Sequence, residues 1–130
     1  MDGREVSLVR AAGARELEVR ARNLPRRAMR AYRREDVDAF LSEVLPAIRD
    51  LIDENDALRA GAPASQPWDR APSRITAFDV EDRRLRGARF GGYDMRAVDE
   101  YLDQVADLLM RLQHEHEALR SRSGANGGGS

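Results

Sequence analysis

Between residues 31 and 59, and again between 92 and 120, seam residues recur at alternating steps of four and three. The first series is Val37, Leu41, Val44, Ile48, Leu51, Asn55 and Leu58; the second is Val98, Leu102, Val105, Leu109, Leu112, His116 and Leu119. A mean repeat of about 3.5 residues predicts two long helices, each with a narrow apolar seam of the kind found in left-handed coiled coils. Both series place one polar residue, Asn55 or His116, at the same seam position. A single polar seam residue costs stability but disfavours wrong registers, which would bury it against apolar neighbours. Phe40, Leu45 and Ile52 widen the first stripe, and Tyr101, Leu108 and Ala118 the second, so a small helical bundle stays open beside the coiled coil. Pro46 falls on the outer face and is expected to kink the first helix, at a cost of up to about 3 kcal/mol.

The two series belong to a repeat. Shifting the sequence by 61 residues aligns 31–59 with 92–120 without a gap, with identities at Tyr32/Tyr93, Val37/Val98, Asp38/Asp99, Leu41/Leu102, Val44/Val105, Leu51/Leu112 and Glu54/Glu115. The same offset pairs Val19 with Val80, Arg22 with Arg83 and Leu24 with Leu85. Such self-similarity marks a duplication, each copy a lead-in followed by a long helix. The copies span 14–59 and 75–120. Between them 60–74 holds three of the five prolines among Ala, Gly and Ser and reads as a semi-extended linker. Residues 121–130 read as a disordered Gly/Ser tail.

Charge repeats as well. Residues 1–34 carry ten Arg and four acids, 35–59 two Arg and eight acids, 60–93 six Arg and four acids, and 94–120 three Arg and seven acids. Basic lead-ins thus precede acidic helices, although the net charge is only −1.

Helix starts follow the repeat. Asp94, directly after Gly-Gly-Tyr, is a good N-cap, whereas the equivalent Arg33 is a poor one, partly offset by Glu35 and Asp36 in the positive first turn. Thr76 with Asp79 has the spacing of a capping box and predicts a short helix at about 77–84; its counterpart near 15–23 lacks that cap. Residues 5–10 suit either a strand or a disordered segment. The fold expected is all-α: two long helices in a parallel coiled-coil-like pair, each preceded by a short helix and loop.

Composition narrows the chemistry. The absence of cysteine excludes disulfides, a thiol nucleophile and a cysteine zinc site. The two histidines, His114 and His116, are two apart and so lie on different helix faces, unsuited to sharing a metal. No cofactor and no enzyme activity are expected. There is no run of about 18 apolar residues and no apolar leader, which points to a cytoplasmic protein.

The string LRGARFGGYDMRAVDEYLDQV (85–105) resembles the N-terminal domain of the DivIVA family of bacterial polar and septal scaffold proteins. The carriers are an apolar residue, Arg-Gly-Tyr-Asp and a helix beginning Val-Asp-x-x-Leu; here Gly91 stands where that Arg is expected. ITAFDVEDRRL (75–85) is similar to the family's short leading helix, and LPRRAMRAYRREDVDAFLSEV (24–44) to a degenerate copy of the same motif. The resemblance covers about 90 of the 130 residues. It implies a parallel two-helix coiled coil whose lead-in loops cross at one end and press an apolar side chain into the cytoplasmic face of the membrane. Carried over, Phe90 is the inserted aromatic, with Arg83, Arg84, Arg86 and Arg89 around it, and the first copy presents Met29 with Arg26, Arg27 and Arg30. The long C-terminal coiled coil of family scaffolds has no counterpart here.

The function expected is a non-enzymatic scaffold or adaptor in bacterial division or polar growth, peripheral at the inner face of the membrane. Its partners would be anionic lipid, other growth proteins and itself, through an intrachain pseudo-dimer or a homodimer. Pairing within one chain would set Asn55 opposite His116. The alternatives are an interaction module without membrane contact and a nucleic-acid binder, the latter disfavoured by acidic helices that would repel phosphates.

Overall fold

The computed structural model describes residues 3–61, 75–82 and 85–128. Arg83, Arg84 and most of the linker lie outside them, and so do the expectations placed there. The elements in order are α1 (Gly3–Arg22), β1 (Arg26–Arg27), β2 (Ala31–Tyr32), α2 (Arg34–Arg59), α3 (Ala77–Asp82), β3 (Gly92–Asp94) and α4 (Met95–Gly128). Most of the chain is helical, as the periodicity requires, with a small antiparallel sheet that it does not announce.

The two seams pack against each other. Val37, Leu41, Val44, Ile48, Leu51, Asn55 and Leu58 of α2 are buried, as are Val98, Leu102, Val105, Leu109, Leu112 and His116 of α4; only Leu119, at the far end, is half-buried. Contacts fix how the helices lie. Near their starts, the Tyr32 hydroxyl donates to Asp99 at 2.8 Å and the Tyr93 hydroxyl to Asp38 at 2.7 Å. Toward the other end, His116 Nδ1 lies 2.9 Å from Asn55 Oδ1, and Asn55 Nδ2 donates to the Leu112 carbonyl at 3.1 Å. Both polar seam residues are therefore partnered, Asn55 while fully buried, which offsets the desolvation that an orphaned amide would suffer. Arg59 closes this end with Glu115 at 3.2 Å. Helix α2 continues without a break through Pro46.

The wider stripes have a purpose that two helices alone would not need. Phe40, Ile52, Tyr101 and Leu108 are buried in the same core as Ala14 and Leu17 of α1. The Tyr101 hydroxyl donates to the Leu17 carbonyl at 2.7 Å, Arg10 pairs with Glu115 at 2.7 Å, and Arg49 on α2 pairs with Glu18. Helix α1 thus runs back along both long helices, in the direction opposite to α4. The expectation of a strand or disorder at 5–10 and a short helix near 15–23 is corrected to one helix of 20 residues. Its buried face is built from Ala14, Leu17 and half-buried Ala21, a single leucine between two alanines that leaves little periodic signal. Glu5 in its first turn and Arg20 and Arg22 in its last complement the helix dipole.

In the second copy the lead-in helix is α3. Its capping box forms as the spacing predicts: the Thr76 amide donates to Asp79 at 2.9 Å and the Asp79 amide to the Thr76 hydroxyl at 3.1 Å. Val80 beneath it is buried, and α3 packs on α4. The tail is the other correction. Residues 121–128, read as disordered, continue α4, since extending an existing helix adds one hydrogen bond for each residue fixed and needs no new nucleus.

The sheet ties the lead-ins together. Strand β3 of the second copy lies between β1 and β2 of the first, antiparallel to both, with Tyr93 opposite Arg26 on one side and Tyr32 on the other. A further bridge joins Tyr32 to Gly87. With the 61-residue offset, Arg26 opposite Tyr93 and Gly87 opposite Tyr32 are one contact with the copies exchanged. The same exchange relates the Arg33 amide on the Arg86 carbonyl at 2.9 Å to the Asp94 amide on the Pro25 carbonyl at 2.8 Å. The repeat is thus an approximate two-fold with Tyr32 and Tyr93 at its axis. Gly92 sits where a Cβ would collide with the Tyr32 carbonyl, so glycine is what lets the strands cross this closely.

Candidate functional site

Beyond the sheet, each lead-in ends in a tight turn at the same end of the molecule. Arg30 and Gly91, equivalent in the repeat, both take left-handed backbone conformations, φ 54° and 65°. Each turn thereby points the residue before it outward: Phe90 is 91% exposed and Met29 77%. A large aromatic left this open is unusual in a chain with so few aromatics. The turns brace one another through the Gly91 amide on the Ala28 carbonyl at 3.1 Å, the Ala88 amide on the Ala31 carbonyl at 2.8 Å and the Met95 amide on the Arg30 carbonyl at 3.0 Å.

Charge at this end divides into two groups. Arg86, expected to face the membrane, grips Asp36 with a two-pronged contact at 3.0 and 3.1 Å, while its own amide donates to the same carboxylate at 3.1 Å. These bonds hold the Asp36 carboxyl below its ordinary range and raise the Arg86 guanidinium. Arg27 reaches Asp94 at 3.1 Å. The Asp94 carboxylate also accepts the Ala97 amide at 3.0 Å, which does most to lower its pKa, so this residue is the cap that the sequence predicts for α4. Arg33 makes no side-chain capping bond at the equivalent place on α2. In the second group, Arg26, Arg30, Arg33, Arg34 and Arg89 make no ion pair among the described residues.

Four of these unpaired arginines, with Arg27, line an open cleft of about 730 Å³ at the tip, whose remaining wall includes Glu35, Phe90, Gly91 and Gly92. Arg26, Arg27, Arg89 and Phe90 are expected at the tip from the sequence; Arg34 is not, and Arg33 enters there only as a weak cap. The signal was present: Arg33 stands where the second copy has Asp94, so the charge at this helix start reverses between the copies.

The two tyrosines at the axis keep their protons. Burial, and then the hydrogen bond to Asp99, pushes Tyr32 up to about 12; burial and Asp38 raise Tyr93 likewise. They act as fixed donors that lock the strands onto the helix starts. Among the described residues, no group of three His, Cys, Asp or Glu is placed to hold a metal; His114 is exposed and His116 belongs to the core. No described helix is long and apolar enough to cross a membrane. Comparisons with protein-family models, curated proteins and solved structures gave no match.

Proposed function

We propose that this chain is a non-enzymatic, DivIVA-like scaffold or adaptor that docks by its tip on an anionic membrane surface in bacterial growth or division, with α2 and α4 acting as a parallel coiled-coil-like pair within one chain. The observation that carries the reading is Phe90, almost fully exposed on a rigid turn and ringed by unpaired arginines. An apolar wedge within a basic collar suits the boundary between lipid headgroups and acyl chains. Burying the ring contributes about 1.5–3 kcal/mol and each nearby arginine about 1 kcal/mol. Neither suffices alone; mounted together, and beside Met29 on the second turn, they add without the entropy of finding one another. The helices that trail away are acidic and would be held off the surface.

The test is co-sedimentation of the full chain with vesicles of neutral and of anionic lipid. Wild-type protein is expected to bind anionic vesicles, and Phe90→Ala to bind them about 10- to 100-fold more weakly, the equivalent of the lost burial. Undiminished binding by the variant would remove insertion. Salt-sensitive binding to duplex DNA without lipid binding would favour the nucleic-acid reading instead.

A further inference from the structure

We infer that the cleft beside Phe90 is a defined phosphate site, formed jointly by the two copies and present on only one side of the tip. The inference rests on the membrane reading for its biological ligand, a lipid phosphate headgroup, but the site's chemistry is that of phosphate in general.

The duplication supplies the comparison. An approximate two-fold should give the tip two equivalent flanks, yet the flanks differ in sequence: Arg26, Arg33, Arg34 and Arg89 of the first correspond to Gly87, Asp94, Met95 and Ala28 of the second, and Glu35 to Arg96. On that second flank the Asp94 carboxylate is engaged by the Ala97 amide at 3.0 Å and by Arg27 at 3.1 Å, and Arg96 lies 3.7 Å from Glu100, so the arginines there already have partners. On the first flank Arg33 and Arg34 meet Arg26 of their own copy and Arg89 of the other across a cleft of about 730 Å³, with Glu35 the one carboxylate in its lining. Four guanidinium groups that make no ion pair among the described residues line one open concavity from three chain segments, an excess of positive charge that an entering anion would offset. Guanidinium is also the group best matched to phosphate, donating pairs of hydrogen bonds to its oxygens. A fatty carboxylate or a diffuse negative surface offers less to such a cluster than a tetrahedral phosphate does. Phe90 forms part of the same wall, so a lipid whose phosphate occupies the cleft would have its acyl chains beside the exposed ring.

Diffuse attraction and a defined site make different predictions, and two variants of the full chain separate them. Arg33→Ala/Arg34→Ala removes two charges from inside the cleft; Arg30→Gly/Arg96→Ala removes two from the same end outside it. Each is compared with wild type on phosphatidylcholine vesicles carrying either phosphatidylglycerol or oleate at matched surface charge. Amide shifts of Arg33, Arg34, Gly91 and Gly92 are followed in parallel as free glycerol phosphate is added. A phosphate site predicts that the cleft variant loses at least about tenfold more affinity for phosphatidylglycerol vesicles than the outside variant, with no such gap on oleate. It also predicts saturable shifts with glycerol phosphate that the cleft variant abolishes. Equal losses from both variants, with no saturable shifts, would overturn the site while leaving membrane docking in place. Saturable glycerol phosphate binding by a protein that ignores every vesicle would uphold the site and overturn the docking. Displacement of glycerol phosphate by duplex DNA in preference to lipid would overturn the assignment to headgroups.

Discussion

Arg30 holds a backbone conformation that any side chain with a Cβ disfavours, by about 1–2 kcal/mol, and that its counterpart Gly91 adopts freely. Nothing in its hydrogen bonding requires arginine there, since the bond that fixes the turn uses its carbonyl. Arg30→Gly should therefore stabilise the protein by about 0.5–1 kcal/mol, after allowing for the extra freedom of glycine in the unfolded chain, and raise the thermal midpoint accordingly. A lower midpoint would mean that the guanidinium supports the turn. The ionisable residues set the pH limits of stability. Tyr32 and Tyr101 both titrate at about 12 in the fold against an ordinary 10.0, chiefly through burial. Their contribution is complete below pH 10 and is lost as pH rises from there through 12. Asp36 and Asp94 are shifted the other way, below their ordinary 3.8, so they stabilise above that value and cease to as pH falls through it and beyond. Denaturant midpoints followed across pH should fall at both extremes, and Tyr32→Phe should make the alkaline fall shallower.

The long helices could be read from the sequence because their signal is local and repeated: an apolar seam at steps of four and three over seven positions, in two copies. So could both good caps, Asp94 and the Thr76/Asp79 pair, whose partners lie three residues away. The sheet could not. Arg-Arg, Ala-Tyr and Gly-Tyr-Asp are too short and too mixed to announce strands, and they pair only because the helix starts bring them together across about 60 residues. The first half of α1 was hidden for another reason: it is tied down by Arg10 on Glu115, while the residues that α1 gives to the core, Ala14 and Leu17, lie in its second half. Of the candidate site, exposure at Phe90 and Met29 followed from the motif, whereas the cleft depends on which arginines find partners, and that is a matter of tertiary placement. Gly92 marks the tightest point of the crossing. Gly92→Ala would drive a methyl group into the Tyr32 carbonyl and should destabilise the fold by about 1–3 kcal/mol or more, measured by chemical denaturation. The equivalent residue in the first copy, Ala31, already accommodates its methyl group and is buried.

For the molecule as a whole, the seam of each long helix is covered by the other from the same chain, and the flanks are covered by α1 and α3. Pairing Asn55 with His116 within one chain satisfies both groups, whereas like-with-like pairing between two chains would set His116 against its own copy. The expected state in solution is accordingly a monomer of 14.6 kDa by light scattering behind size exclusion. A stable particle of twice that mass would mean that the seams exchange between chains.

The placement of β3 between β1 and β2 also dictates an order of events. The middle strand comes from residues 92–94, while its two neighbours come from residues 26–32. As the chain leaves the ribosome, the early strands must wait, edges unpaired, until the late one arrives. Pairing across so long a separation is slow compared with helix formation. The sheet at the tip therefore closes late, and a nascent chain halted before residue 92 carries both exposed turn residues, Met29 and Phe90, without the middle strand that mounts them side by side.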